Sequence, residues 1–251
     1  MNSFIQQTSQ LFTFRFSLFT YYLLSMRFLQ YINYFFYLAA NWNLRIAWHI
    51  LDNEIRGEKK YGIQTTGADE LKKLEAKGID ISHATIYMPA SYDMLEAVLA
   101  EIKQYHLAGF LDIGSGKGRA LCVAAHHGFK QVTGIDFSKE LCAQAKENLE
   151  RTKNAFPGFS YKIINNDAFY YEIPTDVDCI FLFNPFDEMI MSGVIENIEI
   201  SLKKSPRDLY IIYLNPLHKK QFIENGYKEI FYTRKLKYLE GSILKKEMTS
   251  F

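Results

Sequence analysis

The sequence predicts an α/β fold: a doubly wound, mostly parallel sheet with an antiparallel C-terminal hairpin and an N-terminal helical extension. Three observations favour this fold. Short, continuously apolar stretches alternate with stretches of helical periodicity through the body of the chain. Strands of that composition are covered on both faces, and helices between consecutive strands make those strands parallel. Three alternating glycines, Gly114, Gly116 and Gly118, follow the first such strand, at the point where these sheets bind nucleotides.

Composition and charge narrow the class of protein. The chain has 251 residues, of which 48% are hydrophobic, enough for one large domain or one domain with an extension. Its 29 basic and 28 acidic residues leave a formal net charge of +1, so charge does not indicate nucleic acid or a strongly anionic partner. The cysteines are odd in number and lack CxxC spacing, which favours buried, reduced thiols in a cytoplasmic protein; they are Cys122, Cys142 and Cys179.

Residues 1–56 are predicted to form an aromatic, amphipathic helical extension. Up to Leu51 this segment carries arginines but no acidic residue. At ~100° per residue, polar and tyrosine side chains share one side of the helix, and the other side carries Phe28, Ile32, Phe35, Phe36 and Ala39. Three interpretations stay open: a helix docked on the body, an interfacial helix that contacts a membrane peripherally through residues 11–45, and a transmembrane helix, which the amphipathic pattern disfavours.

The main domain is expected over residues 57–251. Its first part, 57–84, is charged and contains glycines, which is typical of a hinge or covering segment. Pro89 and Ser91 then mark the start of a helix, whose apolar face consists of Leu95, Val98, Leu99 and Ile102. Tyr92 in this region either packs on that helix or covers a ligand.

The alternating units follow in order. The predicted strands are "GFLDIG", "QVTGIDF", "YKIINNDAF", "CIFLFN" and "DLYIIYLNP". The predicted helices are "RALCVAAHH", "KELCAQAKENLERT" beginning after Ser138, and "DEMIMSGVIENIEISLKK". The tail, "YKEIFYTRKLKY" and "GSILKKE", reads as a terminal hairpin with its turn at Glu240 and Gly241, which would give the sheet an antiparallel edge.

The glycine spacing distinguishes between nucleotide ligands. In "LDIGSGKGR" the third glycine comes one residue too early for the dinucleotide pattern GxGxxG, and Arg119 stands where that pattern needs a small residue. The phosphate-binding pattern GxxxxGK[ST] is absent from the chain. Neither a dinucleotide nor a nucleoside triphosphate is therefore the expected ligand. Lys117 is expected to be solvated, and Arg119 to be packed or charge-paired.

The stretch "LDIGSGKG" resembles motif I of the class I S-adenosylmethionine (SAM) dependent methyltransferases, which have a Rossmann-like fold. The resemblance covers roughly residues 85–251 and extends to a bacterial group without an assigned substrate through "YMPASY", "GIDFS", "NNDAF" and "LFNPF". It implies that Asp112 helps to hold the methionine end of SAM, Asp136 the ribose and Asp167 the adenine amine. The plainer alternatives are that Asp112 caps the next turn, that Asp136 is a loop acid and that Asp167 is a turn residue. The full set of implied cofactor-binding residues is Asp112, Gly114, Ser115, Gly116, Gly118, Asp136, Phe137, Asp167, Ala168 and Asn184.

The segment "FLFNPF" resembles the [ND]PP[YF] motif of amino-group methyltransferases but lacks its second proline. The resemblance implies that Asn184 and the Pro185 carbonyl accept the N–H bonds of a deprotonated amine, while Phe186 forms a wall beside the methyl group. A simple turn into the helix capped by Asp187 is the alternative. The sequence contains neither an HxH pair nor a paired-carboxylate cluster that suggests a metal.

The leading hypothesis is thus a SAM-dependent N-methyltransferase that modifies an amino group, on a protein rather than a small molecule. The alternatives are a membrane-associated methyltransferase acting on a lipid or small molecule, and a catalytically silent SAM-binding module. A cytoplasmic location is expected, with peripheral membrane attachment as the variant.

Overall fold

The structure is a computed structural model, which describes residues 28–29, 31–40, 43–66, 89–183, 186–235 and 239–248. The chain divides into two compact units, Met1–Asp52 and Asn53–Phe251. Helix α1 (Leu44–Tyr61) begins in the first unit, where residues 31–40 are also helical. None of the helices in the described ranges is long and apolar enough to cross a membrane.

Burial in the first unit follows the predicted apolar side of the helix only in part. Tyr34 and Leu38 are buried, whereas Phe28 and Phe36 are about two-thirds exposed, at 65% and 66%. Periodicity placed both phenylalanines on the apolar side, but it cannot tell which side of an aromatic-rich helix is covered. Phe35 lies edge-on to Phe36 and to Trp48, with ring centroids 5.8 and 6.5 Å apart.

The second unit contains the predicted sheet, with seven strands in the order β3-β2-β1-β4-β5-β7-β6. The first five are parallel, and β7 runs antiparallel to β5 and to β6. The strands are β1 (Gly109–Ile113), β2 (Gln131–Asp136), β3 (Ser160–Asn165), β4 (Cys179–Phe183), β5 (Leu209–Leu214), β6 (Lys228–Lys235) and β7 (Leu239–Lys246). The fold class predicted from the sequence is confirmed.

Helices cover both faces of this sheet. They are α2 (Tyr92–Ile102), α3 (Arg119–His126), α4 (Lys139–Ala155), α5 (Glu188–Lys204) and α6 (Lys219–Glu224), with 3-10 turns at Lys103–Tyr105 and Ala168–Tyr170. Side chains of α2, α3 and α4 form one core with Phe110 and Phe181. Side chains of α5 and α6 form the other core with Leu111 and Ile180. Neighbouring strand residues thus point to opposite faces, so the strands are apolar throughout their length.

The C-terminal hairpin is present, but its turn is not at the predicted position. Glu240 and Gly241 lie inside β7, where Gly241 pairs with Leu214 of β5. A Cβ atom on Gly241 would come within 2.9 Å of the Leu214 side chain and 3.1 Å of Met94 on α2. The glycine therefore makes room for a helix over the strand and does not form a turn.

The segment expected to be a hinge or cover, residues 57–84, begins as a helix. Helix α1 continues to Tyr61, so Gly57 is helical. A Cβ atom on Gly57 would lie 2.2 to 2.5 Å from atoms of the Tyr92 ring, so the glycine lets that ring pack against the helix. The part from residue 67 to residue 84 lies outside the described residues.

Candidate functional site

The predicted site residues gather at the carboxyl edge of the parallel strands. Ile113, the last residue of β1, pairs with Ile135 of β2 and Leu182 of β4. The segments after these three strands therefore leave the sheet at the same level. In open parallel sheets this edge is where ligands bind.

All three predicted glycines adopt left-handed backbone conformations, with φ of 82° at Gly114, 51° at Gly116 and 77° at Gly118. Side chains are disfavoured there, which explains the residue type. The amides of Gly114 and Ser115 both donate to the Ile135 carbonyl, at 2.9 and 2.8 Å. The glycine loop, residues 114–118, is therefore attached to the end of β2 and leads directly into α3.

Asp136 connects the glycine loop to the next strand. One carboxylate oxygen accepts the Gly116 amide and the other accepts the Ser138 amide, each at 2.8 Å. Ser138 in turn caps α4 as predicted, accepting the Leu141 amide. The carboxylate is buried and holds two adjoining loops at the predicted ligand position.

Asp112 is the least compensated charge of the site. Its side chain is buried, and no hydrogen-bond donor within the described part of the chain reaches its carboxylate. Burial, and secondarily the negative charge of Asp136, raises the pKa of the Asp112 carboxyl well above its usual value. A cationic group placed beside it would offset this cost.

Ser115 and Phe137 occupy contrasting positions at this edge. The Ser115 hydroxyl is buried and has no hydrogen-bond partner among the described residues; it faces β2, where a Cβ atom on Gly134 would lie 2.8 Å from it. Phe137 is 39% exposed, and Asn165 donates to its carbonyl at 2.7 Å. Of the two side chains, only Phe137 lies open at the edge.

The third strand is shorter than predicted, because Asp167 starts a 3-10 turn. Its carboxylate accepts the Phe169 amide at 2.9 Å, as expected of a turn residue, which is the plainer of its two predicted roles. Ala168 is buried. The turn rests on α5, where a Cβ atom on Gly193 would lie 2.5 Å from the Phe169 ring and Asn197 donates to the Phe169 carbonyl at 2.8 Å.

The predicted acceptor segment is only partly described. Asn184 and Pro185 lie outside the described residues. Phe183 ends β4, and half-buried Phe186 packs against the α5 side of the core. Asp187 caps α5 by accepting the Ile190 amide at 3.0 Å, as predicted.

Arg119 is surrounded by residues that its sequence context does not indicate. Arg119 is buried and forms an ion pair with buried Glu54, so the expectation of a packed or charge-paired arginine is confirmed. Lys117 is not solvated as expected: it is 8% exposed and donates to the Thr66 carbonyl at 3.2 Å. The signal available in the sequence was Arg119 itself, because a buried arginine needs a buried acid.

Tyr92 and the three cysteines pack in the interior. Tyr92 is buried, with the Arg119 guanidinium 4.1 Å from its ring centre, so it packs on the helix. No group of three or more histidine, cysteine or acidic side chains able to hold a metal ion occurs within the described ranges. The three free cysteines are buried.

A family described as a methyltransferase domain matches residues 110–205. That range runs from β1 to the end of α5 and contains the glycine loop, Asp136 and the acceptor segment. No curated protein matches the chain.

Solved structures with a similar fold include several methyltransferases. Ribosomal protein L11 methylase from Lactobacillus delbrueckii subsp. bulgaricus is 18% identical, over 67% of this chain and 84% of that chain, with a TM-score of 0.48. Magnesium protoporphyrin IX methyltransferase from Synechocystis PCC 6803, with bound SAM, is 17% identical, over 61% of this chain and 77% of that chain, with a TM-score of 0.47. A tRNA (uracil-54, C5)-methyltransferase from Pyrococcus abyssi, in complex with S-adenosyl-L-homocysteine, is 12% identical, over 63% of this chain and 39% of that chain, with a TM-score of 0.47.

Proposed function

We propose that this chain, whose residues 110–205 match a family described as a methyltransferase domain, is a SAM-dependent methyltransferase that transfers the methyl group to an amino nitrogen of a protein side chain. SAM supplies a methyl group on a positively charged sulfur, a donor that needs little help from an acid or base. The protein's tasks are to hold the donor, aim the acceptor and exclude water.

The site fits a ligand of this kind. The bare backbone of the glycine loop permits the close approach of a nucleoside. The buried carboxyl of Asp112 suits the ammonium of the methionine part, because it has no hydrogen-bond donor within the described ranges. We assign the ribose hydroxyls to Asp136, the buried carboxylate at the end of β2 that accepts the amides of Gly116 and Ser138. Exposed Phe137, next in the chain, offers a ring for the adenine.

The observation that carries the acceptor proposal is the position of β4. It is hydrogen-bonded to β1 in parallel, so the chain leaves β4 after Phe183 at the same edge of the sheet where the glycine loop follows β1. An amine of reference pKa ~10.4 must lose its proton before it attacks the methyl group. Neutral acceptors favour that form, and we assign the role to the Asn184 side-chain oxygen and the Pro185 carbonyl.

Exposed apolar side chains near this edge favour a protein substrate. Tyr170 follows β3, Met189 lies in the first turn of α5 after β4, and Leu217 follows β5; they are 75%, 59% and 66% exposed. Aromatic and methionine side chains are enriched where proteins bind proteins. We propose that they contact the residues flanking the modified amine.

The test is transfer of labelled methyl from SAM to cell extract, followed by mass spectrometry of the labelled product. We expect label on protein amino groups. Asn184→Ala should lose transfer by at least about 100-fold while keeping SAM affinity, since the amide acts on the acceptor. Asn225→Ala, at the exposed end of α6, is the matched control and should retain activity.

Label in phospholipid or RNA with none in protein would refute the acceptor class. SAM binding without transfer to any component would support the silent-module alternative.

A second candidate, a methyltransferase attached to a membrane with a lipid or small-molecule substrate, is favoured by one feature of the first unit. Its described residues expose several large apolar side chains, namely Phe28, Leu29, Phe36, Leu44 and Trp48. Together with the excess of arginine in this unit, they suit an interfacial segment beside anionic lipid.

A further inference from the structure

We propose that residues 54–66, here called the strap, hold the glycine loop in its cofactor-binding form, with Arg119 and Asn148 as the positioning residues. The strap lies before the range that matches the methyltransferase family. The inference rests on SAM as the cofactor and is independent of which acceptor is methylated.

The glycine loop needs such support because of its composition. Three of its five residues are glycines with positive φ, and glycine loses more backbone entropy on ordering than any other residue. Glycines also have no side chain with which to anchor the loop. Beyond the backbone bonds to Ile135 and Asp136, side-chain anchoring must therefore come from the residues between and after the glycines.

Arg119, the first residue of α3, is bound to the strap through its whole guanidinium group. Its Nη1 and Nη2 atoms donate to the two carboxylate oxygens of Glu54 at 2.6 and 2.5 Å, and Nε donates to the Thr65 hydroxyl at 2.8 Å. Nη1 also donates to the Ala90 carbonyl at 2.7 Å. Tyr92 covers the group from one side. Arg119 and Glu54 are only 4% and 1% exposed, and a buried pair fixes one arrangement because each alternative leaves a charge unpaired.

Asn148 of α4 makes the second connection. Its amide group donates to the carbonyls of Gln64 and Lys117, at 3.0 and 2.9 Å, and its oxygen accepts the Gln64 amide at 2.9 Å. One side chain thus bonds both the strap and the glycine loop. The Lys117 ammonium reaches the Thr66 carbonyl, whose own amide is held by Glu58 at 2.8 Å.

These contacts leave little freedom between Gly116 and α3. The side chains of Lys117 and Arg119, and the carbonyl of Lys117, all meet the strap or Asn148. A change in the strap should therefore alter the glycine loop, although no strap residue is assigned to SAM. In class I sites of this kind we expect loop misplacement to appear as lost cofactor affinity.

The experiment uses the full chain and measures SAM affinity by calorimetry beside thermal unfolding. Arg119→Lys keeps the charge but loses the forked geometry, and Asn148→Ala removes the bridge. We expect each to raise the Kd for SAM by about 10-fold or more, with kcat at saturating SAM changed less than about 2-fold and the acceptor KM unchanged. Glu54→Gln combined with Arg119→Lys should cost less than the product of the single effects, since both break one pair.

Arg207→Lys is the matched control. Arg207 also bonds several carbonyls, those of Val177, Ser205 and Pro174, but it lies before β5, at the opposite edge of the sheet. The Arg207→Lys variant should have a lower unfolding temperature than the wild type and the same Kd for SAM.

The proposal is overturned if Arg119→Lys and Asn148→Ala lower the unfolding temperature while leaving the Kd for SAM within about 2-fold of wild type. It is equally overturned if Arg207→Lys weakens SAM binding as much as they do. Failure to methylate amines would refute the proposed acceptor but would leave the Kd values for SAM of these variants unchanged. Failure of the acceptor proposal and failure of the strap proposal are therefore distinguishable.

Discussion

At the scale of single residues, Asp112 combines a cost to stability with a proposed role in binding. Its carboxyl is buried near Asp136, and its pKa is raised well above the usual value by burial. A raised pKa in the folded state means that the ionised carboxyl stabilises the fold less than the neutral one. This loss of stability is absent at low pH, where the carboxyl is neutral in both states. It grows as pH rises from the usual carboxyl pKa of ~3.9 toward the raised pKa of the folded state.

Asp112→Asn should therefore change stability and affinity in opposite directions. We expect the unliganded variant to be more stable at pH 7 by ~1 kcal/mol, or about 2–4 °C in unfolding temperature for a domain of this size. Its Kd for SAM should rise by about 10-fold or more, because an amide does not neutralise an ammonium. Thermal unfolding and calorimetry on the same sample measure both.

The pH dependence provides an independent check. In the wild type, SAM affinity should fall on acidification as Asp112 takes up a proton, beginning above the usual carboxyl range because its pKa is raised. The Asn variant should lack this component. Asp208→Asn is the control: hydrogen bonding to the Met248 amide and to Lys245 lowers the pKa of Asp208, so this variant should lose stability with SAM affinity unchanged. Loss of stability in Asp112→Asn would contradict the assignment.

At the scale of elements, the 3-10 turn at Ala168–Tyr170 depends on a glycine in a different element. Gly193 of α5 has no room for a Cβ atom, which would lie 2.5 Å from the Phe169 ring. Gly193→Ala should therefore push the turn away from α5 and displace Asp167 and Ala168. We expect about 5-fold weaker SAM binding and ~1–3 kcal/mol lower stability from the overpacking.

Ser192→Ala tests whether the effect comes from that contact. Ser192 is the preceding residue of α5, and its exposed hydroxyl only donates to the Glu188 carbonyl, so the variant should behave as wild type. If Gly193→Ala lowers stability but leaves SAM affinity unchanged, the turn contributes nothing to cofactor binding. Calorimetry with SAM distinguishes these results.

The same element scale shows what the sequence could predict. Strand and helix types, and the caps Ser138 and Asp187, follow from local patterns, and each is confirmed. The helical position of Gly57 and the strand position of Gly241 were not predicted, because a sequence does not distinguish a glycine needed for positive φ from one needed for space. Glycine is needed at these positions because of side chains distant in sequence, Tyr92 beside Gly57 and Met94 beside Gly241.

At the scale of the whole molecule, the site was predictable as far as strand topology determines it. Parallel strands end at one edge, so acids and glycines that follow successive strands must meet there. The strap was not predictable, since Glu54 and Arg119 are 65 residues apart and share no motif or spacing. A charge pair of this kind becomes visible only in the folded chain.

The first unit exposes large apolar side chains that suit contact with a membrane surface. Phe36, Leu44 and Trp48 are 66%, 69% and 66% exposed, and the described ranges contain no helix that could span a bilayer. If they contact a membrane, the full chain should co-sediment with vesicles containing anionic lipid. Burying one such side chain contributes ~1.5–3 kcal/mol, so Phe36→Ser with Trp48→Ser should lower the partition coefficient by at least about 10-fold.

Charge and surface controls decide between this binding and nonspecific adsorption. Binding should weaken as salt rises, because arginines of the first unit face anionic lipid in this arrangement. Ile230→Ser, which changes an exposed apolar side chain on the edge strand β6, should leave vesicle binding unchanged, and the Kd for SAM should be the same in all variants. If the wild type and the double variant at Phe36 and Trp48 bind vesicles equally, these side chains do not contact the lipid. A helix docked on the body would then be the favoured interpretation of the extension.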